Sequence, residues 1–264
     1  MKTLSLQNAE FLAGKRKLLH GIDLEIRPGE LLALVGANGA GKSTLLRLLS
    51  GELTPARGVV QLEGRALQDW SPRERARRLA VLPQQTSVPF ALTALELVLL
   101  GRAPHAPGGE TPRDYEIALQ AMQATAVHPF ADREFPSLSG GEKARVQLAR
   151  VLAQIWEPVG DSPRFLLLDE PNAALDFGHQ HRVLELARTW AARGVGVVAI
   201  LHDLNLASRY ANRIVMLREG RLIANGTPQE VLTPSTVEAA FGWRTHIQPH
   251  PRYDYPTVEL LRSF

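Results

Sequence analysis

The hydrophobic positions of this chain fall into short uninterrupted runs that alternate with segments of helical spacing. Runs without polar alternation are typical of strands buried on both faces, as in a parallel sheet covered by helices. We therefore predict an α/β fold with a mostly parallel core sheet. Its expected strands are Leu31–Val35, Ala80–Leu82, Phe165–Leu168, Val195–Leu201 and Ile214–Leu217.

Two other regions have different patterns. Near the N-terminus, the shorter runs Leu4–Asn8, Ile22–Ile26 and Val59–Leu62 are separated by turn signals and predict an antiparallel β side sheet. From about residue 86 to 152 the spacing becomes helical, most clearly in Leu92–Gly101 and Tyr115–Ala126.

We expect one domain over residues 1–264. Residues 1–85 and 165–264 would form the α/β core with its side sheet, and residues from about 86 to 152 an inserted α-helical subdomain.

Composition narrows the class of protein. The 264 residues are 45% hydrophobic and 22% charged, which is typical of soluble globular proteins. The net charge is +3, and the arginine-rich stretch from Arg73 to Arg78 is more typical of a solvated helix face than of a nucleic-acid site, so no nucleic-acid partner is expected. The absence of cysteine excludes disulfides and thiolate metal sites. No run reaches the roughly 18 apolar residues that span a bilayer, so a membrane role would require other subunits.

A glycine-rich segment follows the first predicted core strand and precedes a helical pattern that begins at Thr44. Its glycines allow backbone N–H groups to converge on an anion, and the helix N-terminus adds a favourable partial charge. Lys42 would then contact the terminal phosphates, and the Ser43 hydroxyl would bind Mg²⁺. The segment is the phosphate-loop pattern Gly36-Ala37-Asn38-Gly39-Ala40-Gly41-Lys42-Ser43.

Two adjacent carboxylates, Asp169 and Glu170, follow the predicted strand Phe165–Leu168. Ligands in such sheets bind where the strands end. Asp169 suits a Mg²⁺ shell, and Glu170, which strand alternation would turn the other way, is placed to orient or deprotonate an attacking water. Capping of a helix is the alternative role of such a pair.

The segment Leu138–Glu142 supports two interpretations. Ser139 and Glu142 have the spacing of a capping box, which would mark a helix start. Gly140 and Gly141 would also expose backbone N–H groups to an anion.

Together these motifs resemble the ABC ATPase family, whose signature is Leu-Ser-Gly-Gly-Gln or a close variant. The resemblance covers nearly the whole chain and implies a phosphate-loop NTPase fold, ATP and Mg²⁺ as ligands, and ATP hydrolysis. It further implies that Ser139, Gly140 and Gly141 bind the nucleotide of a partner subunit, so that ATP closes a head-to-tail homodimer.

The same resemblance implies roles for other residues. Gln84, with Gln85 as the alternative, would approach Mg²⁺ and the attacking water. His202 would contact the terminal phosphate, and Asp176 would cross the dimer. The family's adenine-stacking aromatic aligns near Ala13, where no ring exists, and Phe11 is the candidate in its place.

Further segments, among them Glu96–His105, are similar to ATPases of bacterial importers for iron chelates, haem and vitamin B12, and Leu175–Gln180 most to those for haem. This implies a peripheral subunit at the cytoplasmic face of the inner membrane. It would drive two transmembrane permease subunits through about residues 86–105 and serve a periplasmic substrate-binding protein indirectly. The alternatives are a soluble ABC ATPase acting on ribosomes or DNA, and a phosphate-loop kinase for a small molecule.

Overall fold

The computed structural model describes residues 2–84, 91–172 and 175–261. The strands are β1 (Leu4–Ala13), β2 (Arg16–Ile26), β3 (Leu31–Gly36), β4 (Arg57–Leu62), β5 (Arg65–Ala66), β6 (Leu79–Leu82), β7 (Arg164–Leu168), β8 (Val195–Ile200), β9 (Arg213–Arg218), β10 (Arg221–Gly226), β11 (Thr245–Pro249) and β12 (Pro256–Leu260). The helices are α1 (Lys42–Leu49), α2 (Pro72–Ala76), α3 (Ala94–Leu99), α4 (Pro112–Ala124), α5 (Gly140–Gln154), α6 (Phe177–Ala192), α7 (Leu204–Tyr210), α8 (Pro228–Val231) and α9 (Pro234–Phe241).

The core sheet has the strand order β10-β9-β3-β8-β7-β6. All its pairings are parallel except that of β10 with β9, which is antiparallel. Every residue of β3 and β8 is buried, as the uninterrupted apolar runs predict. The α/β prediction is confirmed, and the carboxyl ends of β3, β6, β7 and β8 meet at one edge of this sheet.

A second sheet with the order β2-β1-β4-β5 confirms the predicted antiparallel side sheet. Its first two strands are longer than predicted. The pairing of β1 with β2 shifts register after Leu6, and Asn8 has a left-handed backbone with φ 45°. This irregularity breaks the apolar alternation on which the prediction rested, while the strand continues beyond it to Ala13.

The helices α3, α4 and α5 follow β6 and precede β7 in the sequence, and they pack against one another. Helix α4 starts three residues before the predicted start because Thr111 and Asp114 form a capping box and proline occupies the first turn. A buried ion pair joins Arg102 Nε to Asp114 Oδ1 at 2.9 Å, and Arg102 also donates to the Ala153 carbonyl at 2.7 Å. These bonds connect the segment after α3 to both other helices.

The arginine-rich stretch is only partly a solvated face. Helix α2 carries the exposed Arg73, but Arg78 lies beyond its end, with a side chain that is 14% exposed. Arg78 pairs with Glu63 at 3.2 Å and lies over the Trp70 ring. The solvated-face interpretation is therefore wrong for Arg78, which packs against the side sheet.

None of the helices within the described ranges has the length and apolarity that a bilayer crossing requires.

Candidate active site

The phosphate loop connects β3 to α1 and depends on its glycines. A Cβ atom at Gly36 would lie 2.3 Å from the Leu217 carbonyl oxygen, and Gly41 has a left-handed backbone with φ 104°. Gly41 is the N-cap of α1, and no side chain of the described residues caps the start of this helix. The first N–H groups of α1 are therefore left to an external acceptor, which is the local requirement for an anion site.

Lys42 lies inside this loop. It is 6% exposed, and its Nζ donates to the carbonyl oxygens of Gly36 at 2.8 Å and Ala37 at 3.0 Å. Burial lowers the pKa of Lys42, while the charges of Glu170 and Asp169 oppose that shift. A phosphate bound in the loop would compensate the ammonium for its lost water.

Asp169 reaches the same loop from the end of β7. Its Oδ1 lies 3.4 Å from the Ser43 hydroxyl oxygen, and the residue is 8% exposed. Burial and the neighbouring Glu170 raise the pKa of Asp169, although Ser43 and Lys42 oppose the rise. Mg²⁺ prefers oxygen ligands, and the Ser43 hydroxyl and the buried Asp169 carboxylate are ligands of this kind. The residues present therefore suit this ion.

Glu170 is held by two neighbours. Its Oε2 accepts from Gln84 Nε2 at 2.7 Å, and its Oε1 lies 2.6 Å from His202 Nε2. Gln84 follows β6, Glu170 follows β7 and His202 follows β8. Three neighbouring strand ends therefore supply this cluster of side chains. Asp169 and Glu170 do have different partners, but strand alternation is the wrong reason: β7 ends at Leu168, and Glu170 has a left-handed backbone with φ 51°.

A cavity of about 190 Å³ separates this cluster from helix α5. Gln84, Asp169 and Glu170 line one side, and Lys143 and Gln147 contribute from α5. No local motif predicts the two α5 residues here, because their placement depends on how the helix packs against the sheet.

Ser139 is the N-cap of α5 and forms a capping box with Glu142. The Ser139 N–H donates to Glu142 Oε2 at 2.7 Å, and the Glu142 N–H donates to Ser139 Oγ at 3.3 Å. Ser139 and Gly140 are nonetheless exposed, and the space beside the Gly140 Cα is open. The tip of α5, formed by Ser139, Gly140 and Gly141, can therefore cap its own helix and still present N–H groups to a second molecule.

The remaining candidates lie farther from the cluster. Asp176 is the N-cap of α6, and its side chain is 71% exposed. Phe11 pairs with Leu19 in the side sheet and packs against the core beneath it. The segment that borders the phosphate loop is instead the one around Leu18, since a Cβ atom at Gly41 would contact Leu19 and the Leu18 carbonyl. Gln85 lies outside the described residues.

The sequence profile of the family described as ABC transporter matches residues 19–173, which is more than half of the chain. The chain belongs to the ABC transporter family. Its fold and motifs are those of the family's ATPases, which hydrolyse ATP, and this chain is an ATPase of that type.

Relatives within this ABC family match over nearly their full length. The hemin import ATP-binding protein HmuV of Gloeobacter violaceus is 56% identical over 252 residues, covering 96% of this chain and 91% of the relative. The protein of the same name from Myxococcus xanthus is 49% identical over 256 residues, covering 97% and 96%.

Solved ABC structures have the same fold. A metal-chelate type ABC transporter in an inward-facing conformation matches with a TM-score of 0.82 and 29% identity, covering 99% of this chain and 98% of that one. A dimeric ATP-binding cassette in a post-hydrolysis state, bound to ADP and Pi, matches with a TM-score of 0.74 and 28% identity, covering 85% and 98%.

Proposed function

We propose that this ABC ATPase powers the uptake of haem, or of a related iron chelate or cobalamin, across the bacterial inner membrane. The observation that carries the proposal is similarity to hemin import ATP-binding proteins over nearly the whole chain. The grouping of Lys42, Ser43, Asp169, Gln84 and Glu170 at one sheet edge supports it. The similarity to a metal-chelate type transporter supports the same substrate class.

In this proposal the phosphate loop, from Gly36 to Thr44, holds the ATP phosphates. Lys42 supplies the positive charge, and the N–H groups at the start of α1 supply hydrogen bonds. Ser43, Asp169 and Gln84 would hold Mg²⁺, which when bound neutralises charge on the phosphates. Phe11 remains the proposed adenine neighbour.

Glu170 acts on the attacking water. A carboxylate fixed between Gln84 and His202 can accept a proton from a water placed in line with the terminal phosphate. His202 is then positioned to contact that phosphate. Hydrogen bonds from two directions hold the base in place, which reduces the entropy lost on reaching the reactive geometry.

Two copies would close head-to-tail over two nucleotides. The exposed tip at Ser139, Gly140 and Gly141 donates to the nucleotide of the partner, and Asp176 contacts the facing subunit. Hydrolysis removes the shared phosphate contacts, so the dimer opens. The motion would pass to two permease subunits through the helical subdomain, and the ATPase would lie peripherally on the cytoplasmic face. A periplasmic binding protein would deliver the cargo to the permease.

Reconstitution tests the proposal. The chain is co-purified from its native membrane with its permease subunits, placed in vesicles, and assayed with hemin, a ferric siderophore and cobalamin. ATP-dependent uptake of one of these cargoes is expected, with a matched Glu170→Gln complex as the inactive control. Recovery with ribosomes instead of membrane subunits, or ATP-dependent uptake of none of the three, would contradict it.

A further inference from the structure

Helix α6 starts differently from five other helices of this protein. Helices α2, α3, α4, α5 and α8 each begin with a capping box, in which a serine or threonine is the N-cap and an acid three residues later receives the N-cap N–H. In α6 the N-cap is Asp176, and the residue three positions later is His179. The acid that completes the other boxes is replaced here by an imidazole.

The imidazole contacts the N-cap side chain. His179 Nδ1 lies 2.9 Å from both carboxylate oxygens of Asp176, and the His179 backbone N–H donates to Oδ1 at 2.8 Å. An ionised carboxylate only accepts hydrogen bonds, so the ring donates from Nδ1. Two donors from one residue fix the orientation of a side chain that is otherwise 71% exposed.

Capping of the helix does not require this ring. The backbone bond from His179 to Oδ1 already provides the N-cap interaction, whereas the ring contacts the Asp176 side chain. Both hydrogen bonds from His179, and the charge of Arg145 on α5, lower the pKa of Asp176. The carboxylate is therefore kept charged and pointed in one direction, beside a Phe177 side chain that is 77% exposed.

We propose that His179 is a positioning residue that presents the Asp176 carboxylate to the facing subunit of the closed dimer. The inference rests on the proposed head-to-tail dimer. An exposed carboxylate that had to be ordered during closure would lose rotamer freedom at that step, and the imidazole removes that loss before the subunits meet.

The test compares ATP hydrolysis by four single variants of the full chain. His179→Glu restores the capping-box acid, so helix α6 keeps its cap, but it places a like charge beside Asp176. Asp176→Asn keeps a good N-cap and removes the charge. His179→Gln and His179→Leu differ mainly in whether a donor remains near the carboxylate.

The expected result is a lower kcat in His179→Glu, by about tenfold, with KM for ATP and the melting temperature little changed, because misplacing a reacting or positioned group by about 1 Å can cost up to about 100-fold in rate. His179→Gln should keep more than half of the wild-type kcat, and His179→Leu should lose about as much as His179→Glu. His128→Glu, the same change at an exposed histidine of the helical subdomain, serves as the matched control and should hydrolyse ATP at the wild-type rate.

Different failures have different meanings. Wild-type hydrolysis in His179→Glu alongside an impaired Asp176→Asn would overturn the positioning role alone. Wild-type hydrolysis in Asp176→Asn would also remove Asp176 from the proposed dimer contact. If His179→Glu is unstable, the Gln and Leu variants decide: equal rates in these two would overturn the inference.

Discussion

At the scale of single residues, two adjacent acids have different surroundings. Asp169 faces the phosphate loop through Ser43, whereas Glu170 is held by Gln84 and His202. Both acids lie beyond the end of β7, and Glu170 has a left-handed backbone, a conformation that is uncommon in non-glycine residues and often functional.

Glu170→Gln should remove the proposed base while preserving the shape of its surroundings. We expect kcat for ATP hydrolysis to fall by about 10²- to 10⁴-fold, the usual contribution of a positioned general base. ATP binding should persist, since Lys42 and the loop are unchanged. Equilibrium binding of labelled ATP and single-turnover hydrolysis measure the two effects separately, and an unchanged turnover would exclude Glu170 as the base.

Asp169→Asn should affect the stability of the nucleotide-free protein. Burial raises the pKa of Asp169, so its ionised form is disfavoured in the native state. The resulting loss of folding stability is absent at pH values below the ordinary carboxyl pKa. It is fully present once the pH exceeds the raised pKa of Asp169 in the native state. The variant should therefore melt higher than wild type at pH 7 to 8, with each ~1 kcal/mol gained raising Tm by about 2–4 °C.

That advantage should shrink as the pH is lowered toward 4 and should reverse when Mg²⁺ and ATP are added, because the wild-type carboxylate then gains a counter-charge. Melting curves at several pH values, with and without Mg²⁺ and ATP, measure this dependence. Equal melting at all pH values would mean that the buried charge carries no cost.

At the scale of elements, the sequence was most informative where burial on both faces dictates composition. The strands β3, β6, β7, β8 and β9 end within one residue of the positions that their apolar runs predict. The C-terminal hairpin of β11 and β12 was not predicted, because its strands lack regular alternation. It is held by tertiary bonds instead: Asn205 on α7 bonds both the N–H and the carbonyl of Val258, and Ser208 donates to Pro256.

The candidate site also has parts that the sequence predicts and parts that only the packing of the fold determines. The phosphate loop and the carboxylates that follow β7 have local patterns, so the sequence could place them. The contacts that depend on packing could not be read from it: Lys143 and Gln147 in the cavity, and the neighbourhood of Leu18 beside the loop. The contact between His179 and Asp176 depends on where α6 starts, which the structure shows.

Arg102→Ala tests what holds the helical subdomain together. Removing one member of a buried ion pair leaves the other charge uncompensated, so we expect the free energy of unfolding to fall by about 3–5 kcal/mol. Arg47→Ala is the matched control, since Arg47 is half exposed and pairs at the surface with Glu52, whereas Arg102 pairs with Asp114 and Glu157. Exposed pairs contribute about 0–1 kcal/mol. Urea denaturation measures both changes, and equal losses would show that burial of Arg102 adds nothing.

At the scale of the whole molecule, the groups of the proposed reaction divide into two sets. The loop, the carboxylates, Gln84 and His202 gather at one sheet edge, whereas Ser139 is exposed and, among the residues that the structure describes, its side chain bonds within its own helix. A second copy placed head-to-tail would bring its tip to this edge and would receive the same contact in return.

Mixing two inactive variants tests this arrangement. Ser139→Arg blocks the donor tip, and Lys42→Ala removes the loop charge, so each homodimer should be inactive. In a 1:1 mixture about half of the dimers are mixed, and each has one intact site, built from Lys42 of one chain and Ser139 of the other. Recovered ATP hydrolysis should reach up to about a quarter of the wild-type rate. Ser139→Arg mixed with the double variant Ser139→Arg/Lys42→Ala contains no intact site and should stay inactive. If the first mixture also stays inactive while both variants fold and mixed dimers form, a single site shared between two chains does not support hydrolysis, and the predicted arrangement is wrong.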